Sequence, residues 1–212
     1  MNSISGRRIA VTEGLPSTRT TRQMQKKELR KIFKEKRLAL SHPEMERMNH
    51  LILLQFQTIP LPLLTVAHSY IASEKHAEPD TSLILRFLQF RYPGIIIAAP
   101  RIDAAGTGMS HYSITNFGQL ELNKFGIEEP LGGQQIDPEE IDLVLIPMLA
   151  FDTQGYRVGF GKGYYDRFLT QCRKDTLKIG LSFFAPVDRI EDTNSHDIKL
   201  DYCCTPERTY KW

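Results

Sequence analysis

Apolar strand-like runs that alternate with helical segments predict an α/β domain on a largely parallel central sheet flanked by helices. Three observations carry this. The runs "GIIIAAP" (94–100), "IDLVLIPMLAF" (141–151) and "LKIGLSF" (177–183) are almost continuously apolar, as strands covered on both faces should be. Segments of helical period lie between them. A stretch with three glycines, "VGFGKGYYDRFL" (158–169), leads from an apolar run into a helix.

In chain order, residues 1–23 hold Ser, Thr, Gly and Arg without apolar periodicity and are expected to form a disordered leader. A single domain is expected over 24–212. From Gln25 to Leu40 the pattern turns helical: Leu29, Ile32, Phe33 and Leu40 form one apolar stripe, and Lys26, Arg30, Lys34 and Arg37 a basic one. On residue type alone the basic stripe reads as a solvated face. Ser41 and Glu44 match a capping box that opens a second helix over 43–56. Prolines 60 and 62 end it. "LTVAHSYIA" (64–72) reads as a strand. Asp80 can cap the helix "TSLILRFLQF" (81–90), which "YPG" stops. After 94–100, "MSHYSI" (109–114) is a short strand, and "FGIEEPLGGQQIDPEE" (125–140) an irregular connection. The run 141–151 is the strongest strand signal. "DTQG" turns, a helix is expected over 163–172, then the strand 177–183, and the tail from His196 supplies one more short strand. The sum is a Rossmann-like three-layer architecture.

Composition sets the outer bounds. Hydrophobic residues are 41% and charged residues 25%, ordinary for a globular chain. No apolar run reaches the roughly 20 residues that cross a bilayer, and the N-terminus lacks a secretory apolar segment. A cytoplasmic protein is expected. Lys and Arg number 27 against 25 Asp and Glu, a net +2 too balanced to require a nucleic acid or a membrane. Cys172, Cys203 and Cys204 form no paired framework and no CxxC, so reduced thiols are expected. Scattered histidines give no zinc spacing. His196 beside Asp197 invites a catalytic dyad, but no GxSxG elbow accompanies it.

The glycine stretch fits neither common phosphate-loop rule. Gly161-Lys162 is followed by Gly163 rather than Ser or Thr, and glycines 159, 161 and 163 give GxGxG, not GxGxxG. The physics remains. Glycine at every second residue lets backbone N–H groups approach an anion closely. A helix start favours negative charge. Lys162 and Arg157 add cations, and Asp166 sits in the first helical turn. Anion donors beside a carboxylate are the parts required for Mg²⁺ with phosphates. The alternative is a tight glycine turn in which Asp166 only complements the helix dipole and Tyr164 and Tyr165 pack inward.

"LIPMLAFDTQGYRVGFGKGYYDRFL" (145–169) closely resembles the signature of the 5-formyltetrahydrofolate cyclo-ligase family. "KKELRKIFKEKR" resembles its N-terminal basic helix and "AEPDTSLI" its substrate-side acidic segment. "APR", "FGIEEP" and "HDIKLD" follow in order, so the likeness spans about 25–205. The resemblance implies an ATP- and Mg²⁺-dependent enzyme that cyclises 5-formyltetrahydrofolate to 5,10-methenyltetrahydrofolate. It implies phosphate contacts from Lys26 and Arg30, and an ATP loop of Arg157, Val158, Gly159, Phe160, Gly161, Lys162, Gly163, Tyr164 and Tyr165. Phe160 to Tyr164 would also face the folate. Arg157, Lys162 and Tyr164 would be catalytic, Glu78 would hold the pterin side, and Asp166 and Asp197 would hold magnesium. Many relatives carry a basic residue where Phe160 stands, so Phe160 is expected to act through its backbone. Lys34 and Arg37 keep the solvated-face reading. Arg101 is open to either a folate-tail contact or a surface ion pair, and Glu128 and Glu129 to either a carboxylate pair or a polar loop. The implied protein is a monomer with small-molecule partners only. A non-catalytic nucleotide- or folate-binding module and a basic-helix nucleic-acid binder are the rivals.

Overall fold

The computed structural model describes residues 24–103, 105–114, 120–122 and 128–212. The expected leader, 1–23, and residues 125–127 of the irregular connection lie outside them. Basic helix α1 (Lys26–Leu38) is followed by α2 (His42–Phe56). The Ser41 amide and hydroxyl both donate to Glu44 Oε2, at 2.8 and 2.6 Å, closing the expected capping box. Strand β1 (Val66–Ser69), a one-turn 3-10 helix (Glu74–His76) and α3 (Ser82–Arg91) come next. Thr81 rather than Asp80 is the N-cap residue, yet the Asp80 carboxylate accepts from the Ser82 amide and hydroxyl. Then come β2 (Ile96–Ile102), β3 (Met109–Ser113), β4 (Leu120–Leu122), β5 (Glu128–Pro130), β6 (Leu143–Ile146), β7 (Ala150–Phe151) and β8 (Arg157–Val158). The chain ends with α4 (Tyr164–Leu169), β9 (Leu177–Leu181), β10 (Tyr202–Cys204) and β11 (Thr209–Lys211).

Among these residues one seven-stranded sheet has the order β11-β10-β9-β6-β1-β2-β3. Its five central strands are parallel, and the two edges, β11 and β3, are antiparallel. Side-chain alternation gives the sheet two apolar faces. Ala67, Ile97, Leu143, Leu145 and Ile179 meet Ile52 and Phe56 of α2 and Ile84, Leu85 and Leu88 of α3. Val66, Ala98, Val144, Ile146 and Cys203 meet Phe168 and Leu169 of α4. That is the expected α/β three-layer arrangement. Helix α1 packs elsewhere: Leu29 and Phe33 join Leu149, Ala150 and Val158 of the β7–β8 ribbon.

Three expectations need correction. The run 141–151 is two strands, not one. Pro147 has no N–H for the ladder, so β6 stops at Ile146 and β7 pairs only with β8. The glycine loop therefore follows a two-residue ribbon instead of a main-sheet strand. The helix expected over 163–172 is six residues long, ending at Leu169. The tail supplies two strands, which pair with each other as a hairpin.

Beneath α4 lie two buried histidines. His111 Nδ1 and His68 Nε2 are 3.1 Å apart, and the His111 ring stacks on Phe168 with centroids 4.0 Å apart. One ring donates and the other accepts, a bond lost when both rings are protonated, and burial disfavours charge on either. Burial pushes His111 down to about 4, and burial and His111 push His68 well down. Between the unfolded value of about 6.5 and the folded one, the unfolded chain binds more protons. Stability is then present above about pH 6.5 and falls with pH by roughly 1 kcal/mol per unit per histidine. Urea unfolding at pH 7 and pH 5 should show this loss, and His111→Gln should reduce the slope.

Candidate active site

From β1 the chain moves to β2 on one side and later returns to β6 on the other. Outside the carboxyl ends of β1 and β6 the sheet thus has a topological switch point, where α/β folds place ligands. Tyr70 and Ile71 follow β1, Pro147 follows β6, and all three line a cavity of about 430 Å³. Its other walls come from α1 (Lys26, Arg30), the turn carrying His76 and Glu78, the loop from Gly159 to Asp166, Glu128 and Glu129, and Asp197.

The glycine loop holds a shape that needs glycine. Gly161 and Gly163 have φ of +97° and +67°, which side chains rarely adopt. Arg30 lies across the loop: its Nε donates to the Gly159 carbonyl at 3.0 Å, and a Cβ on Gly161 would meet its guanidinium at 3.3 Å. Gly161→Ala should cost roughly 1–3 kcal/mol in backbone strain and displace Arg30. A lowered melting temperature is the expected outcome, read by thermal unfolding. Lys162 is exposed at the loop, and its ammonium has no partner among the described residues. Phe160 is 41% exposed, with its ring 5.2 Å from His76.

Arg157 and Asp166 form a buried link. Arg157 is buried, donating Nη1 to the Ile198 carbonyl and Nη2 to Asp166 Oδ1 at 2.7 Å. Asp166 Oδ1 also accepts from the Ile198 amide. Arg157 was expected as a second mobile cation, but its charge is fixed to Asp166 and to the segment holding Asp197. Lys26 Nζ reaches both Asp197 oxygens at 2.6 Å, and the Asn194 amide also donates to that carboxylate. The Tyr164 hydroxyl donates to the Gly106 carbonyl at 2.7 Å. The Tyr165 hydroxyl is buried without a partner among the described residues, and burial pushes it up. Glu78 Oε2 accepts from the Ser73 amide at 3.0 Å. Burial raises its carboxyl, opposed by that bond and by Arg37.

Among the described residues no three His, Cys, Asp or Glu gather as an all-protein metal cage. Magnesium does not need one; it takes one or two carboxylates plus phosphate oxygens and water. Asp166 and Asp197 line one cavity, and Asp166 uses only Oδ1 in the bonds above. The donor set fits.

The model of the 5-formyltetrahydrofolate cyclo-ligase family matches residues 22–206. The chain belongs to that family, and it is an enzyme of that class. A 5-formyltetrahydrofolate cyclo-ligase of Mycoplasma pneumoniae is 32% identical over 188 residues, 87% of this chain and 100% of the relative. One from Mycoplasma genitalium is 41% identical over 70 residues, which span 32% of this chain and 42% of the relative. The NMR structure of Aquifex aeolicus 5,10-methenyltetrahydrofolate synthetase superposes with a TM-score of 0.73 at 29% identity, covering 89% of this chain and 93% of that one.

In this cyclo-ligase family member the structure gathers Lys26, Arg30, Glu78, Arg157, residues 159–166 and Asp197 at one cavity; Val158 is buried in β8 beside it. Arg101 and His196 are not on its walls. Arg101 lies over the Tyr112 ring, and His196 is exposed. Glu128 and Glu129 are on the walls. The solvated-face reading fails at Arg37, which is 1% exposed. Its signal was available: Leu29, Phe33 and Arg37 recur every four residues, so Arg37 continues the apolar stripe. Tyr70 and His76 were also missed, and neither carries a motif.

Proposed function

We propose that this chain catalyses ATP- and Mg²⁺-dependent cyclisation of 5-formyltetrahydrofolate to 5,10-methenyltetrahydrofolate, releasing ADP and phosphate. The observation that carries this reading is the shared cavity: Lys162 on the glycine loop, unpaired among the described residues, and a half-buried carboxylate, Glu78, line one space at the switch point. Loop and carboxylate suit the two ends of the reaction. A tetrahydropterin presents an N–H and an amino group as donors, and an ionised Glu78 accepts both. Loop amides, Lys162 and Arg30 present donors and charge to a triphosphate. Magnesium, held by Asp166 and Asp197 together with phosphate oxygens, would neutralise phosphate charge.

The formyl oxygen attacks the γ-phosphorus, and ADP leaves. N10 then adds to the formyl carbon and loses its proton. The C–O bond breaks, phosphate departs with the electron pair, and the N5 lone pair completes the methenyl amidinium. Phosphorylation is needed because an amide-like oxygen is a poor leaving group. Lys162 meets the charge on the transferring group. Arg157 orients Asp166 and adds positive field, and Tyr164 fixes the loop against the Gly106 carbonyl. The enzyme acts as a cytoplasmic monomer on small molecules, without nucleic acid or membrane. No described helix is long and apolar enough to cross a membrane.

The test follows methenyltetrahydrofolate absorbance with and without ATP, and with and without magnesium. Formation only when both are present, with one ADP per product, supports the reading. Folate binding with no ATP turnover would replace it with a non-catalytic module.

A further inference from the structure

Arg37 is out of place by any packing rule. It shares a face of α1 with Leu29 and Phe33, so the helix drives its guanidinium into protein, where it is 1% exposed. Nη2 donates to the Met148 carbonyl. Nε and Nη1 are buried without a partner among the described residues. A guanidinium carries five donors, and burying it with most of them unmet is strongly unfavourable. A methionine would occupy the space without that penalty. The charge therefore calls for a role other than filling the core.

Its surroundings indicate the role. Helix α1 packs against the one-turn helix that precedes Glu78. Met148, whose carbonyl Arg37 holds, follows the cavity-lining Pro147. Burial weakens the Arg37 charge, and the Glu78 carboxylate sustains it, while the buried Tyr70 hydroxyl beside them stays neutral. Both of those line the cavity whereas Arg37 does not, so it stands behind the wall. Glu78 is also faced by the Tyr165 hydroxyl of α4 and by Tyr70, whose hydroxyl donates to the Pro79 carbonyl. On its own turn stand Glu74, Lys75 and His76, and across the cavity Glu128, Glu129 and Lys162. Of these groups Arg37 is the cation that opposes protonation of Glu78.

We propose that Arg37 is a positioning residue for folate: from behind the cavity wall its guanidinium keeps the Glu78 carboxylate charged, ready to accept hydrogen bonds from the pterin. This rests on the pterin role given to Glu78 above. The sign follows directly. Burial alone favours the protonated carboxyl, which cannot accept two donors, and Arg37 offsets that burial. Without the guanidinium, Glu78 takes up its proton at higher pH, and folate affinity falls about tenfold per pH unit below that point.

The experiment measures 5-formyltetrahydrofolate dissociation constants from pH 5.5 to 9, without ATP, in wild type, Arg37→Met, Arg37→Lys, Glu78→Gln and Arg37→Met/Glu78→Gln. The Arg37→Met curve should move up by at least one pH unit, so that binding is about tenfold weaker at the acid end of the range and recovers at alkaline pH. Nucleotide affinity should stay unchanged. Arg37→Lys should restore most of the wild-type curve. In the Glu78→Gln background Arg37→Met should add nothing. A folded Arg37→Met whose curve superposes on wild type overturns the proposal, as does an equal loss in the Glu78→Gln background. Should the neutral variants not fold, a carbon-13 titration of the Glu78 carboxyl in wild type decides. A Glu78 carboxyl that stays ionised at neutral pH agrees with a sustained charge, and one that is protonated there refutes it. That readout needs no turnover, so a chain inactive on 5-formyltetrahydrofolate would sink the proposed reaction and leave the Arg37–Glu78 relation measurable.

Discussion

Lys162→Met should give a folded protein whose turnover is lower by on the order of 10²-fold or more, the usual cost of removing one preorganised charge-stabilising group. Lys162 stands on an exposed loop between Gly161 and Gly163. Among the described residues its ammonium has no ion pair, so nothing in the resting structure depends on it. Arg30 is bonded to the Gly159 carbonyl, Arg157 to Asp166 and Lys26 to Asp197. Those three cations already serve protein groups; the lysine is the one able to follow charge as it develops on a transferring phosphoryl. The loss should therefore appear mainly in kcat, with a smaller change in the Michaelis constant for ATP. Circular dichroism and the melting temperature should match wild type. A folded variant with near-normal turnover would remove Lys162 from the phosphoryl step.

The parts of this protein that were legible in sequence are those governed by local rules. Continuous apolar runs marked β2, β6 and β9 because strands covered on both faces need no alternation. The Ser41–Glu44 box placed the start of α2, and the glycine spacing marked the loop. What was not legible depends on partners distant in the chain. The run 141–151 looks uniform, yet Pro147 divides it between two sheets. Arg37 and Arg30 look alike on a basic stripe; one is buried behind Met148 and the other lies over the glycine loop. Their difference is set by which face of α1 meets the β7–β8 ribbon. Asp166 and Asp197 are 31 residues apart by number, and only the fold brings both to one cavity through Arg157 and the Ile198 segment.

Asp166→Asn should lower stability and raise the magnesium concentration that function requires, and the two effects can be measured apart. Asp166 Oδ1 accepts from Arg157 at 2.7 Å, where the side chains are 5% and 30% exposed. Asparagine keeps the shape and one acceptor but removes the negative charge. Arg157 is then left buried with its Ile198 carbonyl bond and a more remote Asp197. Breaking a fully buried pair costs about 3–5 kcal/mol. Asp166 is partly solvated, which lowers the expectation to roughly 1–3 kcal/mol. Urea unfolding without magnesium or nucleotide isolates this part. The proposed metal role is read separately, by titrating magnesium at saturating ATP: half-activation should move to higher concentration, with kcat/KM down on the order of 10²-fold. Asp197→Asn is the companion, since the charge it loses is paired directly with Lys26 and only remotely with Arg157. If Asp166→Asn is less stable but titrates magnesium as wild type does, its carboxylate serves Arg157 alone. If both variants leave the titration unchanged, the metal assignment fails for this cavity whatever happens to stability.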